Sequence, residues 1–287
     1  MMLMKAIAGN LTVTDHDRDS VGMTYVYPVV SRRAGGVSVG INLNINNACN
    51  WRCIYCQVPD LKRGAPPPVD MGTLEAELRA FLHELFHGDF MEQHVPEGMR
   101  RINDIALSGN GEPTSAHEFE QVIGLIGGLM GEFGLLGKIK LVLITNGSLV
   151  HRDYVQRGLK KMALLNGEVW FKLDSATPEG MRRTNNTRTP LSRVRGNLSL
   201  AAKLCPTWLQ TCMFALDSEP PSENERKAYL NFLVGLKGVP LKGVLLYGLA
   251  RPSLQPEASR LAALPCDWLK SFAAEISALG LATKVSC

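Results

Sequence analysis

No stretch of this 287-residue chain is both long enough and apolar enough to cross a bilayer. The greasiest run, Val122 to Gly137, is interrupted by Glu132 and by repeated glycines. The opening residues, Met1-Met-Leu-Met-Lys-Ala-Ile, are too poor in apolar side chains for a secretory leader. Low-complexity tracts and fixed-period repeats are also missing, which leaves an ordinary globular chain. Charge of one sign is scarce. The 31 Lys and Arg against 27 Asp and Glu leave a net +4, which permits an anionic partner without demanding one. The spacing of a disulfide framework is absent as well. Seven cysteines make an odd count, and three of them fall within eight residues. That distribution points to a reduced cytoplasm with metal chemistry. With 45% hydrophobic residues, the chain can bury one barrel-sized core or two small ones.

What the sequence does contain is Cys49-Asn-Trp-Arg-Cys53-Ile-Tyr-Cys56. Three thiolates spaced x3 then x2 on one tight loop can ligate three irons of a cubane [4Fe–4S] cluster. A complete cluster normally takes four cysteines, so the fourth iron is left open to a ligand that is not protein. Two other readings fit the same residues: a zinc site short of a ligand, or three unrelated buried thiols. Zinc asks for a fourth Cys or His at short spacing, and the nearest histidine, His83, falls in a predicted helix.

Periodicity predicts six alternations of strand and helix. The strands are Val37–Leu43, Ile102–Leu107, Ile139–Ile144, Val169–Leu173, Leu209–Leu216 and Val244–Tyr247. Between them run helical stripes such as Leu74, Leu78, Phe81, Leu82 and Leu85, or Phe119, Val122, Ile123, Ile126 and Met130. Capping boxes are expected at Ser115–Glu118 and Ser222–Glu225, the second opening a helix through Leu236. The last helix, carrying Trp268, Leu269, Phe272, Ile276 and Leu279, is expected to end with Gly280 at C′. Repeated βα units imply a parallel sheet with helices outside it. Six units fall two short of a closed eight-fold barrel. The expected fold is therefore α/β, a partial (β/α)6 barrel that is laterally open. Residues 1–36 are expected to form an N-terminal extension packing on the barrel, and 37–287 the core, with a C-terminal helix and a short terminal strand.

In βα architectures ligands gather at the carboxyl ends of the strands. The cysteine loop follows the first strand. Ser108-Gly109-Asn110-Gly111-Glu112-Pro113 follows the second, where two glycines let backbone approach a ligand and Glu112 can accept hydrogen bonds from an ammonium group. Thr145-Asn146-Gly147 follows the third, and a plain Asn-Gly turn is the alternative there. Lys172 and Asp174 close the fourth on the same side of the strand, as a rim ion pair or as readers of a ribose or carboxylate.

Taken together, Cys49-x3-Cys53-x-Tyr55-Cys56 and Gly109-Asn-Gly-Glu-Pro113 resemble the core pattern of the radical S-adenosylmethionine (SAM) enzymes. The likeness runs roughly from Ser31 to Ser286. Tyr27-Pro-Val-Val-Ser-Arg-Arg33, Gly40-Ile-Asn-Leu43, Thr145-Asn-Gly-Ser-Leu149 and Arg251-Pro252 are most similar to the branch of wybutosine-type tRNA enzymes and their uncharacterised bacterial relatives. The resemblance implies that Cys49, Cys53 and Cys56 ligate a [4Fe–4S] cluster whose open iron is chelated by SAM. It implies that Tyr55 abuts the adenine and that Gly109, Asn110, Gly111 and Glu112 hold the methionine ammonium. Asn146, Lys172 and Asp174 are then expected at the carboxylate or ribose. Reductive cleavage of SAM would give a 5′-deoxyadenosyl radical that takes hydrogen from a substrate, with a flavodoxin or ferredoxin as electron donor. An activase or an RNA-modifying enzyme of the same superfamily is an alternative, as is a non-catalytic metal-binding barrel.

The chain departs from the wybutosine enzymes in having no cysteine before Cys49 for a second cluster. Cys205, Cys212, Cys266 and Cys287 lack the dense spacing of an auxiliary-cluster domain, and Cys212 is expected as a small buried apolar residue. Arg182, Arg183, Arg188, Arg193 and Arg195 surround Thr184-Asn-Asn-Thr187. A solvated loop and helix start is the simpler account, and a phosphate-reading rim for RNA or a nucleotide is the alternative. Arg182 or Arg183 is also a candidate for the SAM carboxylate. No aromatic-interleaved basic stretch supports RNA binding.

Overall fold

The computed structural model describes residues 11, 21–31 and 35–287. All six expected strands form within two or three residues of their expected ends. With one strand added at each side they make β1 (Val26–Ser31), β2 (Gly36–Asn42), β3 (Ile102–Ser108), β4 (Lys140–Thr145), β5 (Gly167–Lys172), β6 (Thr207–Met213), β7 (Leu241–Gly248) and β8 (Thr283–Ser286). They lie in one eight-stranded sheet in chain order, from β1 at one edge to β8 at the other. The sheet does not close. Strands β2 to β8 pair in parallel, and β1 adds antiparallel to the outer side of β2. Strands β2 and β6 are buried along their whole length, as strands covered on both faces must be.

The helices are α1 (Met71–His87), α2 (Phe119–Glu132), α3 (Asp153–Leu164), α4 (Pro178–Asn185), α5 (Leu191–Leu204), α6 (Glu223–Val234) and α7 (Cys266–Ser277). The apolar stripes expected for α1 and α2 are buried in full. Ser222 caps α6 through the Glu225 N–H, as expected, and that helix stops two residues before Leu236. The other box does not form. Ser115 is drawn into a 3-10 turn at Pro113–Ser115 and its hydroxyl donates to Glu112 O, so α2 begins at Phe119 without a side-chain cap. Helix α7 ends at Ser277 with Ala278 as its cap, which places Gly280 one position beyond C′ and leaves Leu279 outside the helix.

Helix α4 occupies the segment expected as a solvated loop. Thr177 accepts from the Gly180 N–H, Pro178 sits in the first turn, and Asn186 ends the helix in the left-handed region. At the N-terminal ends of the strands, Glu168 pairs with Lys242 (2.6 Å) and Lys140 (3.2 Å), and Lys242 and Lys284 lie against the Trp208 ring. This plugs that end of the barrel. Cys266 and Cys287 form a disulfide that ties the start of α7 to the residue after β8. This bond departs from the expectation of a reduced chain without disulfide spacing, while Cys205 and Cys212 are free and buried. Among the described residues no helix is long and apolar enough to cross a membrane. Most of residues 1–20, and Arg32 and Arg33 of the family-like segment, lie outside the described residues.

Candidate functional site

The cysteine loop leaves β2 at Asn42 and is built on a run of asparagines. Asn42 Oδ1 accepts from the Asn44 N–H (3.1 Å) and from the Asn110 N–H (3.0 Å). Asn44 Nδ2 donates to Ala48 O at 2.8 Å. The turn after β3 packs directly on this loop. Gly109 has φ +118, and a Cβ there would meet Asn42 Oδ1 at 2.5 Å; a Cβ on Gly111 would overlap Ala48 O. Both glycines are required by that close approach. Asn110 Nδ2 donates to Asn47 Oδ1 at 2.6 Å, while Asn110 Oδ1 is buried with no hydrogen-bond partner among the described residues.

Glu112 is almost wholly buried, and its carboxylate knots the turn to β4. Oε1 accepts from Thr114 N (3.1 Å), Thr114 Oγ1 (2.6 Å) and Thr145 Oγ1 (2.6 Å), and Oε2 accepts from the Asn146 N–H (2.7 Å). Oε2 therefore keeps one lone pair for a further donor. Burial raises the Glu112 pKa, against the opposing effect of these donors. Asn146 in turn holds the middle of the cysteine loop, with Nδ2 on Asn50 Oδ1 at 2.8 Å, and Asn50 Nδ2 reaches Ser148 Oγ at 2.8 Å.

Asp174 is the second knot. It accepts from Tyr55 OH (2.5 Å), Asn185 Nδ2 (2.7 Å) and the Cys212 N–H (2.9 Å). Asn185 Nδ2 also lies 3.2 Å from Cys53 Sγ, and Ile54 N–H donates to Thr184 O at 2.9 Å, so the end of α4 is docked on the cysteine loop. Burial, then the nearby Asp174 charge, pushes the Tyr55 phenol well above its ordinary pKa. Lys172 sits 5.1 Å from the centroid of the Tyr55 ring and donates to Tyr247 OH at 3.4 Å. Burial opposes its charge, but Tyr247 and Asp174 outweigh it and the pKa is raised. No ion pair joins Lys172 to Asp174. Burial pushes the Cys49 and Cys53 thiols up to about 12. The back of the loop is held by the segment after β7: Ser253 Oγ donates to Ile54 O (2.7 Å), Gln255 Nε2 to Val58 O (2.9 Å), and Arg52 pairs with Glu257 (2.6 Å).

These groups share one cavity of about 580 Å³, lined by Cys49, Cys53 and Cys56, by Gly109 to Glu112, and by Asn146 and Lys172. It opens at the carboxyl ends of the parallel strands. No family model matches the chain. A UPF0026 protein, slr1464, from Synechocystis sp. is 26% identical over 200 residues, which cover 65% of this chain and 66% of that protein. The chain thus spans just under two thirds of that relative's length. Among solved structures, TYW1 with a lysine-pyruvate adduct bound superposes with a TM-score of 0.57 at 14% identity, covering 84% of this chain and 73% of TYW1. A radical SAM methyltransferase from Sphaerobacter thermophilus gives 0.59 at 13% identity, over 91% and 68% of the two chains. The fold is that of the radical SAM enzymes.

Within this radical SAM fold, the cysteines, the Gly109–Glu112 turn, Asn146 and Lys172 converge on one cavity, as expected from their places at strand ends. Asp174 instead accepts from the Tyr55 hydroxyl and lines a second cavity with Arg183 and Glu225. Arg182 and Arg183 do not reach the first cavity: they pair with Glu179 (3.0 Å) and Glu225 (2.5 Å), and Arg195 lies over Phe232. These three arginines are thus engaged within the protein, two of them on a helix where a loop was expected. Sequence reading missed Asn44, Asn50, Asn185, Ser253 and Gln255. The unusual density of asparagine in residues 42–50 and 185–186 signalled the first three, and nothing in the sequence signalled Ser253 or Gln255.

Proposed function

We propose that this chain is a radical SAM enzyme that carries a [4Fe–4S] cluster on Cys49, Cys53 and Cys56 and binds SAM against the Gly109–Glu112 turn. The observation that carries the reading is the packing of that turn on the cysteine loop, with Gly111 against Ala48 O and Asn110 bonded to Asn47. A structural metal loop has no need of such a turn. Among the described residues no three Cys, His, Asp or Glu side chains converge on a point suited to a single metal ion. A cubane asks for something different, one thiolate on each of three irons, and three thiols on one loop fit that demand. The buried, unpartnered Asn110 Oδ1 supports a ligand with an N–H or O–H donor beside the turn.

When bound, cluster and SAM together supply a 5′-deoxyadenosyl radical able to take hydrogen from a substrate. The chain's own residues bind and orient. Asp174 fixes the Tyr55 ring by its hydroxyl, Oε2 of Glu112 and Oδ1 of Asn110 accept from an ammonium, and Lys172 faces a carboxylate. The barrel plug at Glu168 keeps bulk water out of the floor. A flavodoxin or ferredoxin is the electron donor in this reading.

Anaerobic reconstitution with iron and sulfide, then dithionite and SAM, tests it. The expected result is an EPR-active cluster and 5′-deoxyadenosine, both lost in Cys53→Ala. Retention of zinc with no cluster assembled would overturn the proposal.

A further inference from the structure

The cavity does not end at the proposed SAM site. On β3 it is lined from Ser108 down to Asp104, four residues or about 13 Å of strand. Ser38 on β2, Asp104 on β3 and Gln210 on β6 face it, Gln210 one inward position deeper than Cys212. Asp104 is 7% exposed and Gln210 3%. Gln210 Oε1 has no hydrogen-bond partner among the described residues. Asp104 accepts from Ser38 Oγ, and no lysine or arginine among the described residues pairs with it. The cations that line this cavity are Lys172, at the carboxyl end of β5, and Arg251, beyond the end of β7. Lys172 stands in register beside Gln210, two strands along the sheet from β3.

Lys140, in register beside Asp104 on β4, is engaged by Glu168 and Asn166, so among the described residues Ser38 is the side chain that donates to the Asp104 carboxylate. An ionised carboxylate only accepts, and a buried acceptor without a donor is costly. A carboxylate withdrawn from water calls for a cation or a proton; burial already raises the Asp104 pKa to about 6. Around it the lining is largely apolar, with Val29, Ala106, Val142, Ile144 and the Trp170 indole. We propose that this lower chamber takes a small aliphatic amine whose ammonium donates to Asp104. As a statement about substrate it rests on the radical SAM reading, with hydrogen taken from the aliphatic carbons of that amine.

Calorimetric titration of the full-length, cluster-loaded, SAM-bound protein with n-butylamine, n-butanol and butyrate provides the test. Butylamine should bind at least ten-fold more tightly than butanol, and butyrate should bind least. Asp104→Asn should weaken butylamine about ten-fold or more and leave butanol unchanged. This variant should bind SAM and assemble the cluster as the wild type does. Butyrate binding as tightly as butylamine, no butylamine binding, or no change in the variant would overturn the inference, and a water-filled floor gives the second of these. The same titration without cluster or SAM separates the two readings. Amine binding by a protein that assembles no cluster would remove the enzyme and keep the chamber; a working cluster with no amine binding would do the reverse.

Discussion

Asn185 donates to the Cys53 sulfur at 3.2 Å from the same nitrogen that bonds Asp174. One amide thus links a proposed cluster ligand to the carboxylate that orients Tyr55. Hydrogen bonds to sulfur are among the levers that set cluster potentials. Asn185→Leu should leave the three cysteines in place, lower the reduction potential of the loaded cluster, and destabilise the fold by about 1–2 kcal/mol through the donor lost to Asp174. Redox titration followed by EPR, with thermal unfolding of the same samples, measures both. An unchanged potential would remove Asn185 from the cluster's surroundings.

The contact of Gly111 with Ala48 O makes the turn intolerant of a methyl group. Backbone, unlike the far end of a side chain, has nowhere to move. Gly111→Ala should cost about 1–3 kcal/mol and displace the turn from the cysteine loop. SAM binding by calorimetry should then be lost even in protein that still assembles a cluster. Full SAM affinity in this variant would show that the turn is not part of the site.

Glu112 offers a sharper separation of structure from binding. Its Oε1 receives three donors and Oε2 one. In Glu112→Gln, whichever oxygen becomes NH2 meets a hydrogen-bond donor head-on, at a cost of about 1–3 kcal/mol. The strand-end partner Asn146 would be freed, and with it the hold on Asn50. Lower thermal stability together with weaker SAM binding is expected. A loss of binding at unchanged stability would mean that Glu112 acts only on the ligand.

The fold was legible in the sequence because its strands carry unambiguous signals. The run Val37–Leu43 is buried on both faces, Leu141–Leu143 likewise, and the stripe from Leu74 to Leu85 keeps one helical face. The helix at Pro178–Asn185 was hidden because it is short, mostly polar and contains both Pro178 and Gly180, and its end is docked on the cysteine loop. Strand-end position correctly brought the cysteines, the Gly109 turn, Asn146 and Lys172 together. It did not reveal that Asp174 and Glu112 would be engaged by neighbours, because partners such as Thr145 and Tyr55 are set by tertiary contacts, 33 and 119 residues away.

The bond between Cys266 and Cys287 is a contact that spacing did not disclose. Protein purified without reductant and denatured with an alkylating agent should be labelled on five cysteines, and on all seven after reduction. Cys266→Ser should lower stability by about 3 kcal/mol under oxidising conditions, given the 21-residue separation. It should leave SAM binding intact. Seven labels without reductant would show the pair to be open.

Asp104 predicts a pH dependence of stability whose sign follows from its burial. Its folded pKa is raised from 3.8 to about 6, chiefly by desolvation, with Ser38 opposing and Glu168 adding to the rise. Between those values the native state holds a proton that the unfolded chain has released. Its contribution is therefore most favourable below pH 4 and is lost as pH rises through 6, by at most about 3 kcal/mol. Asp104→Asn cannot titrate, so urea unfolding from pH 4 to 7.5 should show the wild type falling relative to the variant across that window. Saturating butylamine should flatten the fall, because an ammonium on the floor favours the ionised carboxylate and draws its pKa back down. A wild-type-minus-variant difference that is constant with pH would mean that Asp104 is as well solvated in the fold as outside it.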